Sequence, residues 1–124
     1  MIKRTASLSL KAISVAMLLA VGGQAIAASN YLAANVNRVL MMGDERYGGC
    51  MAALSVSPQS VLPSCGGGWV SFSCTGDFAE PVQAYRMVDQ AQLALTTNKR
   101  VLVEIHDDKK HNGYCYASRI DIIR

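Results

Sequence analysis

The chain has 124 residues, room for one domain, and its 12 Lys+Arg against 9 Asp+Glu give a formal charge of +3. Three of the basic residues (Lys3, Arg4 and Lys11) and none of the acidic ones precede residue 28, so the remainder carries nine against nine. A neutral remainder argues against nucleic-acid binding, which needs a basic face.

The basic start is followed by an apolar stretch from Ala12 to Val21, then Gly22-Gly23 and the small residues of Ala25-Ile26-Ala27. This is the n-region, h-region and cleavage pattern of a secretory signal peptide over residues 1–27. The competing reading is an N-terminal membrane anchor, but the apolar run is short for a span. No stable membrane insertion is expected. The remaining 28–124 are expected to form a single domain of an exported protein, periplasmic or secreted.

That domain holds four cysteines, Cys50, Cys65, Cys74 and Cys115. In an oxidising compartment an even count in a small domain points to disulfides, and four cysteines allow three connectivities. The absence of close CxxC pairs argues against structural zinc.

Ser29 to Asn37 is small and polar and is expected to be a surface lead-in. Val36–Met42 is apolar and Gly49–Val56 alternates, with Cys50, Ala52, Leu54 and Val56 on one face, so the two runs predict a first hairpin around Gly43-Asp44-Glu45-Arg46. Asn30–Met42 also has helical apolar spacing, which leaves a helix open for the first run. Ser57 to Gly68, with Pro58, Pro63 and Gly66-Gly67-Gly68, is a loop. A phosphate-cradling loop would be followed by a helix; a strand follows here, so the glycines are expected to be a flexible lead into it.

Trp69–Cys74 alternates, with Val70, Phe72 and Cys74 on one side and Trp69, Ser71 and Ser73 on the other, the pattern of a half-buried strand. Trp69 on the polar side is either a lid over a sheet edge or a ring on which a ligand stacks. Pro81 suits the first position of a helix running to Thr97, with Asp77 and Glu80 at its positive end. Ala84, Met87, Val88, Ala91 and Leu95 share its inner face. Val82 and Leu93 fall on the outer one, a hint of a subunit contact.

Asn112-Gly113 predicts a two-residue turn, since both central positions need positive φ. It sets His111 opposite Tyr114 within a hairpin over Arg100–Ile123. The same register puts Ile105 opposite Ile120, Val103 opposite Ile122, and His106 opposite Arg119. It also puts Glu104 against Asp121, a like-charge pair that a bulge would relieve.

The predicted class is mainly β with one helix, in the order β-β-β-α-β-β. Five strands with a helix after the third match the oligonucleotide/oligosaccharide-binding (OB) architecture, a small five-stranded barrel. Its strand order sets the second and third strands antiparallel and the third and fifth parallel, which implies Cys50–Cys74 and Cys65–Cys115. The leader, the disulfides and, over residues 36–123, the element order resemble the receptor-binding B subunits of cholera-toxin-like pentameric toxins. That resemblance implies a ring-forming homo-oligomer that recognises glycans, with no sugar-contact motif to carry over. Lys110-His111-Asn112-Gly113-Tyr114-Cys115 followed by Arg119-Ile120-Asp121 is also similar to a C-terminal signature of small exported proteobacterial proteins that have no assigned role to lend.

Candidate binding residues follow from exposure and type. Asp107, Asp108, Lys110, His111 and Asn112 crowd the hairpin tip, either as a recognition loop or as a solvated turn that keeps the edge soluble. Trp69, Tyr114 and Tyr116 are the aromatics suited to a glycan. His106 and His111, about 16 Å apart on an extended strand, cannot share one tetrahedral ion with Asp108. Ser71, Ser73, Ser118, His106 and Asp121 supply catalytic types without a spacing that assembles them. The expectation is a non-catalytic binding module without a cofactor; the alternative is a monomeric protein that binds or inhibits another protein.

Overall fold

The computed structural model describes residues 26–124; the signal-peptide expectation lies, except for its last two residues, outside them. The elements are β1 (Ser29–Met41), β2 (Cys50–Leu54), β3 (Trp69–Ser71), α1 (Pro81–Thr97), β4 (Arg100–His111) and β5 (Tyr114–Ile123). All five strands form one sheet that closes on itself in the order β1-β2-β3-β5-β4. β3 and β5 run parallel, and the other neighbouring pairs are antiparallel. The disulfides are Cys50–Cys74 and Cys65–Cys115, as the expected strand order implied.

Much of the first strand lies where a lead-in was expected. β1 starts at Ser29, and Leu32, Ala34 and Val36 are its buried set, while the apolar Val39, Leu40 and Met41 are partly or largely exposed. Small Ala and Asn residues have little β propensity of their own. Here the strand is imposed by pairing with β4 from Ser29 opposite His106 to Asn35 opposite Arg100. A register shift between Val36 and Arg38 then turns the chain toward β2.

β3 is shorter than expected and not half-buried. Val70, Ser71, Phe72 and Ser73 are all fully buried, because a barrel wall lies on one side and the chain around Tyr47 lies on the other. The Ser71 hydroxyl donates to the Tyr47 carbonyl at 2.7 Å, and the Ser73 hydroxyl accepts the Phe78 N–H at 3.0 Å. Hydrogen bonds thus make burial of the two serines tolerable.

The helix has the expected limits: Pro81 at its start, and Asn98 in the left-handed region (φ 51°) at its end. Its buried set is Ala84, Val88, Ala91 and Ala94, with Leu95 40% exposed. The small alanines let the helix sit close on β1 and β5, and the inward stripe runs through Ala94 rather than Leu95. Val82 and Leu93 are exposed, as the periodicity indicates, and Tyr85 joins them.

The β4–β5 turn is at Asn112-Gly113, both with positive φ, and His111 faces Tyr114. Beyond it the predicted register is displaced, by three residues at His106 and Ile105 and by two from Glu104 to Arg100. Irregularities between His106 and Lys110 and between Glu104 and Ile105 bring Val103 opposite Ile120 and Val101 opposite Ile122. His106 faces Tyr116, and Ile105 faces Ala117. The slip of two over Arg100–Glu104 keeps the facing side chains there on their predicted faces, whereas the slip of three at Ile105 and His106 turns Ala117 inward. The slip of two also removes the like-charge pair, since Glu104 faces Arg119 and Asp121 faces Leu102.

Candidate functional site

Three aromatic rings meet at one corner of the barrel. Trp69 opens β3 and Tyr114 opens β5, and the parallel pairing of those strands sets their starts on one side. Between them stands Tyr47, carried by the 3-10 turn Arg46–Gly49. With Leu40 and Met51 these rings line a shallow cleft of ≈ 190 Å³. The Tyr47 and Tyr114 rings meet edge to face, 5.6 Å between centroids, and the Arg38 guanidinium lies 5.8 Å from the centre of the Trp69 ring.

Tyr47 holds an unfavourable backbone, φ 56° and ψ 22°, ahead of Gly48 and Gly49, which also have positive φ. Such a conformation in a bulky residue persists only when its surroundings fix it. Two hydrogen bonds do so: the Tyr47 N–H donates to Asn112 Oδ1 at 3.0 Å, and its carbonyl accepts the Ser71 hydroxyl. Gly48 has no room for a side chain, since a Cβ there would lie 2.6 Å from both His111 Cδ2 and Ser71 Oγ. The loop from Ser57 is tied in as well. Gly66 donates its N–H to the Gly113 carbonyl at 2.8 Å, a Cβ on it would meet Tyr114 Cδ1 at 2.8 Å, and the neighbouring Cys65 bridges to Cys115. Gly66, the first of the glycine run, is therefore a close approach to the hairpin rather than part of a slack lead.

The predicted hairpin-tip residues separate into three groups. Tyr114 joins Trp69 in the cleft. His111 and Asn112 face the Tyr47 turn and hold it. Asp107, Asp108 and Lys110, which belong to β4 and not to a turn, line a different groove with Ser64 and residues 26 and 27. Lys110 Nζ donates to the Ser64 carbonyl at 2.8 Å, and Asp107 accepts the Ala28 N–H at 2.8 Å. Tyr116 is only 6% exposed, packed between the tilted ring of Phe78 and the stacked ring of His106, and burial pushes its phenol pKa up. It is not part of the aromatic cleft.

Two Ser–His contacts exist among the described residues, and neither makes a relay. His111 Nε2 lies 3.0 Å from Ser73 Oγ and 3.9 Å from Asp77 Oδ2. A relay needs the carboxylate on the other ring nitrogen, and Ser73 is fully buried at a positive φ of 62°. Burial holds the His111 pKa below its ordinary value, with Asp77 opposing. His106 Nε2 meets the exposed Ser118 hydroxyl at the edge of a ≈ 470 Å³ groove between α1 and β5, lined also by Gln83, Arg86 and Gln90. No ion pair joins His106 to a carboxylate among the described residues. Nor do three or more His, Cys, Asp or Glu side chains converge there as metal ligands.

Sequence reasoning named Trp69 and Tyr114 but missed Tyr47, Leu40 and Met51. The available signal was Tyr47-Gly48-Gly49, an aromatic residue beside two glycines between strands. No family model matches the chain, no curated protein is detectably similar to it, and no solved structure matches it.

Proposed function

We propose that this chain is an exported binding module that recognises glycans through the cleft formed by Tyr47, Trp69 and Tyr114. The observation that carries this reading is the convergence of three rings from three segments around one shallow, partly exposed cleft. Flat aromatic faces are suited to the apolar faces of sugar rings, and the fixed Tyr47 backbone lowers the ordering cost of binding. Strand order, the parallel β3–β5 pair and the helix between β3 and β4 support the OB architecture, and with it a likeness to toxin B subunits. Two disulfides favour an oxidising compartment and hence export. No described helix is long and apolar enough to cross a membrane.

The test is a glycan array on the oxidised protein, with light scattering for its mass. Retention that Trp69→Ala or Tyr47→Ala reduces about tenfold or more, in a pentameric protein, is the expected outcome; stacked rings are worth about 1–3 kcal/mol each in other stacking sites. No retention on any glycan would overturn the reading. A second reading, a monomer that binds another protein, has the exposed Val82, Tyr85 and Leu93 of α1 in its favour. A monomer captured through that face, with the cleft variants unchanged, would establish it.

A further inference from the structure

Ala28 stands where a sequence signal and a structural boundary coincide. The small residues of Ala25-Ile26-Ala27 place a cleavage site after Ala27. The sheet begins one residue beyond that bond, with Ser29 opposite His106, and Ile26 just before it is 89% exposed. Between the two, Ala28 is held at both of its backbone groups by one residue. Its N–H donates to Asp107 Oδ1 at 2.8 Å, and its carbonyl accepts the Asp107 N–H at 3.0 Å.

We propose that Asp107 is the receptor for the α-ammonium that processing exposes at Ala28. The proposal rests on the export reading above. Hydrolysis by a processing peptidase puts the water oxygen on the Ala27 carbonyl carbon, so the leader departs as a carboxylate. The Ala28 nitrogen leaves as an amine and takes a proton. The donor to the Asp107 carboxylate thereby changes from a neutral amide to an ammonium, and the hydrogen bond becomes an ion pair. Cleavage also strips residues 26 and 27 from the groove they share with Asp108, Lys110 and Ser64. The charged groups around the new terminus are then Asp107, Asp108 and Lys110, and the Lys110 ammonium is occupied by the Ser64 carbonyl. Removing the leader thus strengthens the β1–β4 seam, which closes the barrel.

The experiment compares the processed protein from the exported fraction with the full-length precursor, both oxidised, each with and without the substitution Asp107→Asn. N-terminal sequencing of the processed form should begin at Ala28. Asp107→Asn should lower Tm by about 4–8 °C more in the processed protein than in the precursor. The Ala28 α-amine, followed by ¹⁵N NMR, should titrate above the ordinary range of about 7.7–8.0 when Asp107 is present and return to that range in the Asp107→Asn variant. Equal Tm losses in both forms, or an α-amine unaffected by Asp107→Asn, would overturn the proposal while leaving export intact. A processed chain beginning elsewhere would overturn the site alone. Exported chains that keep residues 1–27 would overturn the processing on which the proposal stands.

Discussion

The wall where α1 lies on β1, β4 and β5 differs in kind from the corner that holds Tyr47. The wall is built of interchangeable parts: Leu32, Ala34, Val101, Val103, Ile120, Val88 and Ala91 fill it by alternation and helical spacing. The corner is built of parts with no substitutes. Gly48 has contact distances no Cβ can meet, Tyr47 and Ser73 hold positive φ, two buried serines have specific partners, and both disulfides end nearby. A wall of this sort stabilises through apolar area. A corner of this sort fixes side chains in space at a local energetic cost, as binding sites do.

The largest expected effect on this contrast comes from cutting the corner's covalent ties. The Cys65–Cys115 bridge spans 50 residues and Cys50–Cys74 spans 24. Chain entropy gives about 4 and about 3.5 kcal/mol respectively. Replacing Cys65 and Cys115 with serine should lower the unfolding free energy from urea titration by about 4 kcal/mol and increase exchange of the Tyr47 amide. If that amide remained protected while global stability fell, the corner would be held by its hydrogen bonds alone.

Gly48→Ala comes next, at about 3 kcal/mol, from positive φ plus the overlap with His111 and Ser71. Gly43→Ala is its control: a Cβ there meets nothing within 4 Å, and denaturation should shift by less than about 0.5 kcal/mol. Equal losses at the two glycines would show that the corner is no more exacting than an exposed turn.

On the wall, Ala94→Leu should cost about 1–3 kcal/mol by overfilling the helix–sheet contact, whereas Leu95→Ala should cost under about 0.5 kcal/mol. Calorimetry on the two variants decides which residue the stripe passes through. The reverse order would restore the helical phase that periodicity predicts.

The smallest effect is a pH dependence confined to the corner. The pKa of His111 is lowered by burial from an ordinary value of 6.5. Below that pH the unfolded chain binds a proton that the folded one resists. The stability due to neutral His111 is therefore full above 6.5, declines as pH falls from there, and is wholly lost once pH passes below the folded-state value. Tm followed downward from neutral pH should show this decline, and His111→Gln should flatten it. An unchanged slope would place the titration elsewhere.

Much of the fold was legible because several signals are local. Asn112-Gly113 names its own turn, Pro81 opens a helix, and alternation in Val101, Val103 and Ile105 assigns their face without knowledge of the partner. Register was not legible, because bulges in β4–β5 move the pairing by three residues at His106 and Ile105 and by two beyond them, and the alternation of Val101, Val103 and Ile105 reads the same in either register. Ser29–Asn37 reads as a lead-in because the strand from Ser29 to Asn35 is conferred by β4. Two of the three rings of the site were legible for a related reason. Trp69 and Tyr114 stand out by type and position, but Tyr47 lies in what reads as a polar turn.

The sequence by itself determined the helix limits, the final turn and the inward face of Val101, Val103 and Ile105, since each depends on residues a few positions apart. The tertiary structure alone decided where those elements meet. Asn112 holds Tyr47 across 65 residues and Asp107 holds Ala28 across 79. No local preference encodes either contact, because each acceptor is brought to its donor only by the closing of the barrel.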